Sequence, residues 1–97
     1  MPSMEKKLTE NRLTEVKAAL SAKYRTVDLG GEKFFVATDG AFFRVGVFPG
    51  AMALVIEYAD TEQEARQNAL EDGDRFYLDE TTLDEMLRLM IAEIERC

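Results

Sequence analysis

Carboxylates are the side chains of this sequence whose clustering comes closest to a chemical site. Glu71, Asp72 and Asp74 surround a glycine, and Asp79 and Glu80 follow a few residues later. Hard cations such as Ca²⁺ and Mg²⁺ prefer oxygen ligands of this kind. The spacing does not match an EF-hand, which needs alternating acidic or amide residues before its glycine and a glutamate six residues after it. The sequence therefore favours a solvated acidic turn, and we expect no bound metal.

Other catalytic and cofactor chemistries lack the residues they need. Histidine is absent and the single cysteine, Cys97, is the last residue, which removes Ser-His-Asp and Cys-His catalysis, structural zinc sites and an intrachain disulfide. The glycines match neither the P-loop nor the dinucleotide fingerprint. A hydrolase that pairs carboxylates from Glu57, Asp60 and Asp79 remains open, although a small sheet offers no obvious cleft. We expect a protein without a cofactor that is not an enzyme.

Charge is distributed unevenly along the chain, whose formal net charge is −7. Residues 1–56 hold 8 basic and 6 acidic side chains, whereas residues 57–97 hold 4 basic and 13 acidic ones. A negative field repels nucleic-acid phosphates and anionic lipids, and it attracts basic protein surfaces. The composition therefore predicts a basic protein partner and argues against direct binding to nucleic acid or membranes.

Size and hydropathy predict one soluble domain over residues 1–97. The longest uninterrupted apolar run, residues 51–56, is far shorter than the roughly 20 residues that span a bilayer as a helix. Charged residues interrupt the N-terminal stretch where a secretory signal would need an apolar core. The default expectation for the compartment is the cytoplasm.

The first predicted element is a helix over about residues 10–24. Its apolar stripe consists of Leu13, Val16, Leu20 and Tyr24. Thr9 is the predicted N-cap, and an earlier start after Ser3 is the alternative.

A two-residue period then predicts four strands separated by three turns. The turn signals are Gly30-Gly31, Asp39-Gly40 and Pro49-Gly50. Two-residue hairpin loops at these turns would pair Val27 with Phe34, Val36 with Phe43, and Val45 with Leu54. The Pro49-Gly50 turn suits a tight hairpin poorly, so a longer loop and a shifted fourth strand are the alternative there.

These registers divide the strands between an apolar face and a mixed face. The apolar face is predicted to hold Val27, Leu29, Phe34, Val36, Phe43, Val45, Val47, Met52, Leu54, Ile56 and Tyr58, with Glu32 as its one charge. The mixed face is predicted to carry Phe35, Phe42, Arg44, Phe48 and Val55 among small and charged residues. Asp28 is predicted to lie opposite Lys33, and Phe35 opposite Arg44.

Helical patterns return in the last third of the chain. A capping box at Thr61 starts a weakly apolar helix that is predicted to end at Gly73 as its C′ residue. Residues 76–78 are predicted to form an extended linker or a short edge strand. A second capping box at Thr82 starts the clearest helix. Its apolar stripe consists of Leu83, Met86, Leu87, Met90, Ile91 and Ile94.

The predicted fold is an α+β sandwich in which a four-stranded antiparallel meander sheet packs one face against the N-terminal and C-terminal helices, with a short polar helix before the last one. The order of elements and the acidic surplus are loosely similar to those of small acidic secretion chaperones. That resemblance is one of topology, since no motif supports it and the number of strands before the second helix differs.

Two functions are compatible with this fold. The leading hypothesis is an inhibitor or immunity-type protein whose acidic surface docks on a basic cleft, with a charge density suited to mimicking phosphates. Its candidate contact residues are Glu57, Asp60, Glu62, Glu64, Glu71, Asp72, Asp74, Asp79 and Glu80. The alternative is a dimeric chaperone or adaptor-like module that binds a second copy or a client peptide through the mixed face. Its candidate residues are Phe35, Phe42, Arg44, Phe48 and Val55. Equally compatible with the sequence is a mixed face that the helix of residues 61–72, or the first helix, covers.

Overall fold

The computed structural model describes residues 4–96 and confirms an α+β fold with an antiparallel sheet and a helix at each end. In chain order its elements are α1 (Met4–Ser21), β1 (Arg25–Leu29), β2 (Glu32–Val36), β3 (Phe42–Val47), β4 (Ala53–Ala59), α2 (Glu62–Arg66), β5 (Glu71–Tyr77) and α3 (Leu83–Glu95). The sheet is open, and its strands lie in the order β1-β2-β3-β4-β5. The prediction of four strands was therefore wrong by one.

The missed strand, β5, has an unusual composition for a strand. Its sequence, EDGDRFY, is rich in residues with low β-propensity, and Phe76 is its one buried side chain. An edge strand tolerates such residues because its side chains and its outer backbone groups face water. The predicted short strand at residues 76–78 is thus the end of a longer one that pairs with β4 from Glu71 onwards.

The main core lies between the sheet and the two long helices. Val16 and Leu20 of α1 and Met86, Met90 and Ile94 of α3 pack on one side of the sheet, which we call the helix-covered face. The sheet contributes Phe35, Phe43, Val45, Leu54, Ile56 and Phe76 to this core. The stripe of α3 was predicted correctly, and Leu13, Val16 and Leu20 of the first predicted stripe also contact this core. Tyr24, predicted as the last residue of that helix, is buried in the core but lies after α1, which ends at Ser21. Each fully buried side chain contributes roughly 1.5–3 kcal/mol of gross stabilisation.

The strand registers explain which side chains reach this core. The first hairpin is as predicted, with Val27 opposite Phe34. The second was wrong by one residue, because Phe35 rather than Val36 lies opposite Phe43. A hydrogen bond of 2.8 Å from the Ala37 amide to the Ala41 carbonyl extends the pairing by one residue on each strand, so residues 38–40 form a three-residue loop.

A one-residue shift exchanges the two faces of β1 and β2 relative to the prediction. Phe35 is therefore buried under the helices, where its ring stacks on Phe43 with centroids 5.2 Å apart. Phe34 lies on the other side of the sheet, which we call the opposite face. In the third hairpin Val45 lies opposite Ile56 rather than Leu54, a two-residue shift that leaves the faces of β4 unchanged.

A smaller apolar cluster lies on the opposite face beneath α2. It joins Leu29, Phe34 and Ala59 of the sheet to Ala65 of the helix. This helix is shorter than predicted, because Asn68 rather than Gly73 takes the left-handed conformation after it, at φ 58°. Hydrogen bonds from the amides of residues 68 and 69 to the carbonyls of residues 65 and 64 complete a Schellman motif.

Of the two predicted starts of the long helices, the one at Thr9 was wrong and the one at Thr82 was correct. α1 already includes Met4, so Thr9 is a buried interior residue whose hydroxyl donates to the Glu5 carbonyl at 2.8 Å, rather than an N-cap. Ser3, after which the alternative start was placed, lies outside the described residues. The capping box at Thr82 is present as predicted. Within residues 4–96, no helix is long and apolar enough to cross a membrane.

Candidate protein-binding surface

The predicted acidic residues divide into two groups according to their contacts. Three are engaged: Glu57 bonds to Arg44, Glu62 bonds to Arg66, and Glu64 closes the capping box of α2. Six are exposed, and their side chains form no hydrogen bond or ion pair within residues 4–96. These six, which we call the acidic edge, are Asp60, Glu71, Asp72, Asp74, Asp79 and Glu80.

The acidic edge follows β5, the outermost strand on its side of the sheet. Asp60 lies beside the start of this strand, because Tyr58 pairs with Glu71. Asp79 and Glu80 follow the end of the strand. A seven-residue strand spans roughly 20 Å, so the carboxylates are spread along one edge of the sheet, with Glu71 and Asp72 directed to opposite faces of it.

A contact with α3 holds the middle of β5 in place. The Asp74 amide donates to Glu93 Oε1 at 2.7 Å, and the Tyr58 hydroxyl donates to Glu93 Oε2. Gly73 makes this approach feasible, because a Cβ at its position would lie 2.5 Å from Glu93 Oε2 and 2.8 Å from Tyr58 Cε2. The ladder to β4 shifts register between Val55 and Glu57.

Arg44, predicted to contact a partner, forms a bond within the chain through each of its three guanidinium nitrogens. Its Nε donates to Glu57 at 3.0 Å, one terminal nitrogen donates to Glu32, and the other donates to Asn68 at 2.8 Å. Burial alone would lower the pKa of Arg44, but the bonds and charges of Glu57 and Glu32 outweigh it and raise that pKa above its ordinary value. Arg44 therefore joins β2, β4 and the end of α2.

The other residues of the predicted mixed face are only partly available. Phe42 packs against the cluster under α2, Val55 is buried, and the guanidinium of Arg75 lies 4.0 Å from the centre of the half-buried Phe48 ring. Phe35 was assigned to the wrong face, as the second hairpin shows. As a surface for a second copy or a client peptide, this face remains a prediction.

The carboxylates proposed for hydrolysis are not brought together. Glu57 lies on the opposite face in its bond to Arg44, whereas Asp60 and Asp79 lie near opposite ends of β5. Among the residues that the structure describes, no three carboxylate or thiol side chains are placed to hold a metal ion.

Sequence reasoning missed two glutamates in the last turns of α3. Glu93 bonds to β5, and Glu95 accepts hydrogen bonds from the Tyr24 hydroxyl at 3.0 Å and from Thr38 at 2.8 Å. Burial, followed by the hydrogen bond and charge of Glu95, raises the pKa of Tyr24 to about 12. A signal was available, because carboxylates are unfavourable near a helix C-terminus unless other contacts compensate them.

Comparisons with known proteins give no relative: no family model, curated protein or solved structure matches the chain.

Proposed function

We propose that this protein is a small non-enzymatic binding protein of the inhibitor or immunity type, whose acidic edge docks on a basic surface of a protein partner. The single observation that carries the proposal is the set of six exposed carboxylates along β5 that have no partner within the described residues. Acidic groups that serve the fold, such as Glu57 and Glu64, are absent from this set.

The arrangement favours recognition because the carboxylates are concentrated along one edge strand. Two opposite charges 4 Å apart attract by about 1 kcal/mol in bulk water and about 4 kcal/mol near a protein surface. Several such pairs along one strand steer a cationic partner and resemble a row of phosphates, which suits the basic cleft of a nuclease. The anchoring of Asp74 through Glu93 reduces the conformational freedom that binding would otherwise remove.

The test compares two variants with the same change in net charge. The edge variant carries Glu71→Gln, Asp72→Asn and Asp79→Asn. The control variant carries Glu5→Gln, Glu10→Gln and Glu15→Gln, at three exposed positions of α1. Fluorescence anisotropy with a labelled oligolysine peptide, together with inhibition of a panel of basic nuclease domains, measures binding and function.

We expect the edge variant to bind oligolysine at least about fivefold more weakly than the control, with a difference that shrinks as salt rises from about 0.05 M to about 0.5 M. We also expect the unmodified protein to inhibit at least one nuclease of the panel at low salt. Equal losses in the two variants would show that net charge alone governs binding. A panel without any bound or inhibited nuclease would count against the inhibitor role.

A further inference from the structure

β1 forms the edge of the sheet furthest from the acidic edge, and it is the more regular of the two outer strands. It pairs with β2 over five consecutive residues without a bulge. Gly30 and Gly31 join these strands with φ of 60° and 86°, the signature of a two-residue type I′ turn. Side chains that would block an approaching strand are few, since Arg25 and Asp28 are the charged residues of β1.

The backbone of β1 leaves defined hydrogen-bonding groups on its outer side. In a two-residue hairpin the residues that flank the turn, Leu29 and Glu32, form a hydrogen-bonded pair, and such pairs alternate along the ladder. Leu29, Val27 and Arg25 therefore direct their amides and carbonyls towards β2. Thr26 and Asp28 direct theirs outward, and the side chains of both residues also lack a partner within residues 4–96.

We infer that β1 is the interface of a homodimer in which the two β1 strands pair antiparallel, with a two-fold axis at Val27. In this register Thr26 of each copy lies opposite Asp28 of the other. The outward amides and carbonyls of both residues pair across the interface. On the same face, the Thr26 hydroxyl is within reach of the facing carboxylate, a favourable cross-strand pair.

The balanced charge of β1 favours a second copy at this edge over a strongly charged partner. Each β1 carries one basic and one acidic side chain, so the two strands bring no surplus charge together. Neighbouring strands lie about 4.8 Å apart, so the two acidic edges would be roughly 40 Å from each other across the joined sheets. This separation is several times the Debye length of about 8 Å at physiological salt. The net charge of −7 therefore opposes this mode of dimerisation little.

The interface is small, so the dimer is expected to be reversible. A stable homodimer usually buries well over 1,200 Å², more than two five-residue strands provide. Sedimentation velocity and size-exclusion chromatography with light scattering, over about 5–500 µM protein, should show a monomer that converts to a dimer as concentration rises. Protein that stays monomeric throughout this range would overturn the inference.

Two variants test the register itself. Thr26→Asp places carboxylates opposite each other and is expected to weaken dimerisation at least about tenfold. The double variant Thr26→Asp with Asp28→Thr exchanges the pair, so each new aspartate faces a threonine, and its dimerisation constant should return to within about threefold of the original. Equal weakening in the single and double variants would overturn this register.

A backbone variant separates strand pairing from side-chain effects. Thr26→Pro removes an amide that points away from β2, which an edge strand tolerates. Its circular dichroism should match that of the unmodified protein while the dimer is lost. Glu71→Gln, which alters the acidic edge, serves as the control and should leave dimerisation unchanged. A proline variant that is folded and still dimeric would contradict the inference without affecting the proposed binding function.

Discussion

The two outer strands, β1 and β5, differ in regularity, charge and anchoring. β1 has an unbroken ladder and balanced charges, whereas β5 has a register shift and three acidic residues. A single stretch of α3 reaches both edges of the sheet, because Glu95 bonds to Tyr24 just before β1, and Glu93 bonds to Asp74 within β5.

Under the two proposals above, one sheet has two edges with different uses. Bulges and like charges oppose the pairing of β5 with a copy of itself, because they bend the strand and repel the approaching carboxylates. The same charges are available to a basic partner. β1 has neither a register shift nor a surplus of one charge, so these obstacles to pairing with a second copy are found at the acidic edge and not at β1.

The largest expected loss of stability comes from replacing Arg44, and it should affect the β1 edge more than the β5 edge. The ladder between β2 and β3 consists of two residue pairs, so the bonds of Arg44 to Glu32 and Glu57 are an important link between the first hairpin and the rest of the sheet. Arg44→Met should lower the free energy of unfolding by about 2–4 kcal/mol, because it leaves the half-buried Glu57 carboxylate without its partner. Urea denaturation measures this loss.

Hydrogen exchange then locates the effect of Arg44→Met. We expect the amides of β1 and β2 to gain more exchange than those of β5. The control is Arg75→Met, which removes a contact with the Phe48 ring but no salt bridge of the described chain, and it should cost less than about 1 kcal/mol. Uniform exchange across both edges would show that Arg44 does not link the first hairpin specifically.

A second prediction concerns the turn that keeps β1 regular. A Cβ on Gly30 would lie 3.0 Å from the Arg66 carbonyl oxygen, whereas a Cβ on Gly31 meets nothing within 4 Å. Both positions have positive φ, so alanine is strained at either. Gly30→Ala should cost about 2–3 kcal/mol and Gly31→Ala about 1–2 kcal/mol. Equal losses in thermal or urea unfolding would mean that the contact between the turn and α2 contributes nothing.

A third prediction tests the anchor of β5. Gly73→Ala should displace the Glu93 carboxylate from the Asp74 amide and the Tyr58 hydroxyl, at a cost of roughly 1–2 kcal/mol. Gly46→Ala is the matched control, because its Cβ would lie at an ordinary 3.6 Å from Glu57 Oε1. Calorimetric unfolding of the two variants should differ by several degrees. If Gly46→Ala were the more damaging change, the proposed role of the Glu93 contact would be wrong.

The parts of this fold that the sequence predicts are those with strong local signals. The stripe of α3 and the capping boxes at Thr61 and Thr82 depend on neighbouring residues, and all three are present. The second hairpin failed because Asp39-Gly40 also suits a three-residue loop, and a single extra residue moves Phe35 to the other face.

The candidate site was only partly predictable for a related reason. The acidic composition of residues 71–80 is evident in the sequence, but β5 lacks the alternation that marks a strand. Which carboxylates are free depends on long-range contacts. Glu57 is occupied by Arg44 from the neighbouring strand, and Glu93 reaches β5 from a helix that begins after it in the chain. No local pattern reports such contacts.

The smallest expected effect is the pH dependence of stability caused by Tyr24, which lies just before β1. The pKa of Tyr24 is raised to about 12 in the folded protein, from about 10 in an unfolded chain. Folding thus favours the neutral phenol, so this stabilisation is complete below pH 10 and is lost as pH rises towards 12. Tyr24→Phe lacks the titrating group. Between pH 9 and pH 11.5 the unmodified protein should therefore lose more stability than this variant. Urea denaturation of both proteins at several pH values in this range measures the difference in their free energies of unfolding.

The variant Thr38→Val separates the effect of Tyr24 ionisation from the effect of losing a hydrogen bond to Glu95. Thr38 donates to the same Glu95 carboxylate as Tyr24 but has no ionisable side chain. Its replacement removes a bond to Glu95 and retains the phenol, so the pH dependence of its stability should parallel that of the unmodified protein. If the free energies of unfolding of Thr38→Val and Tyr24→Phe depended on pH in the same way, the loss of stability at high pH would arise from groups other than Tyr24. The bond of Tyr24 to Glu95 would then not give the β1 edge a pH dependence of its own.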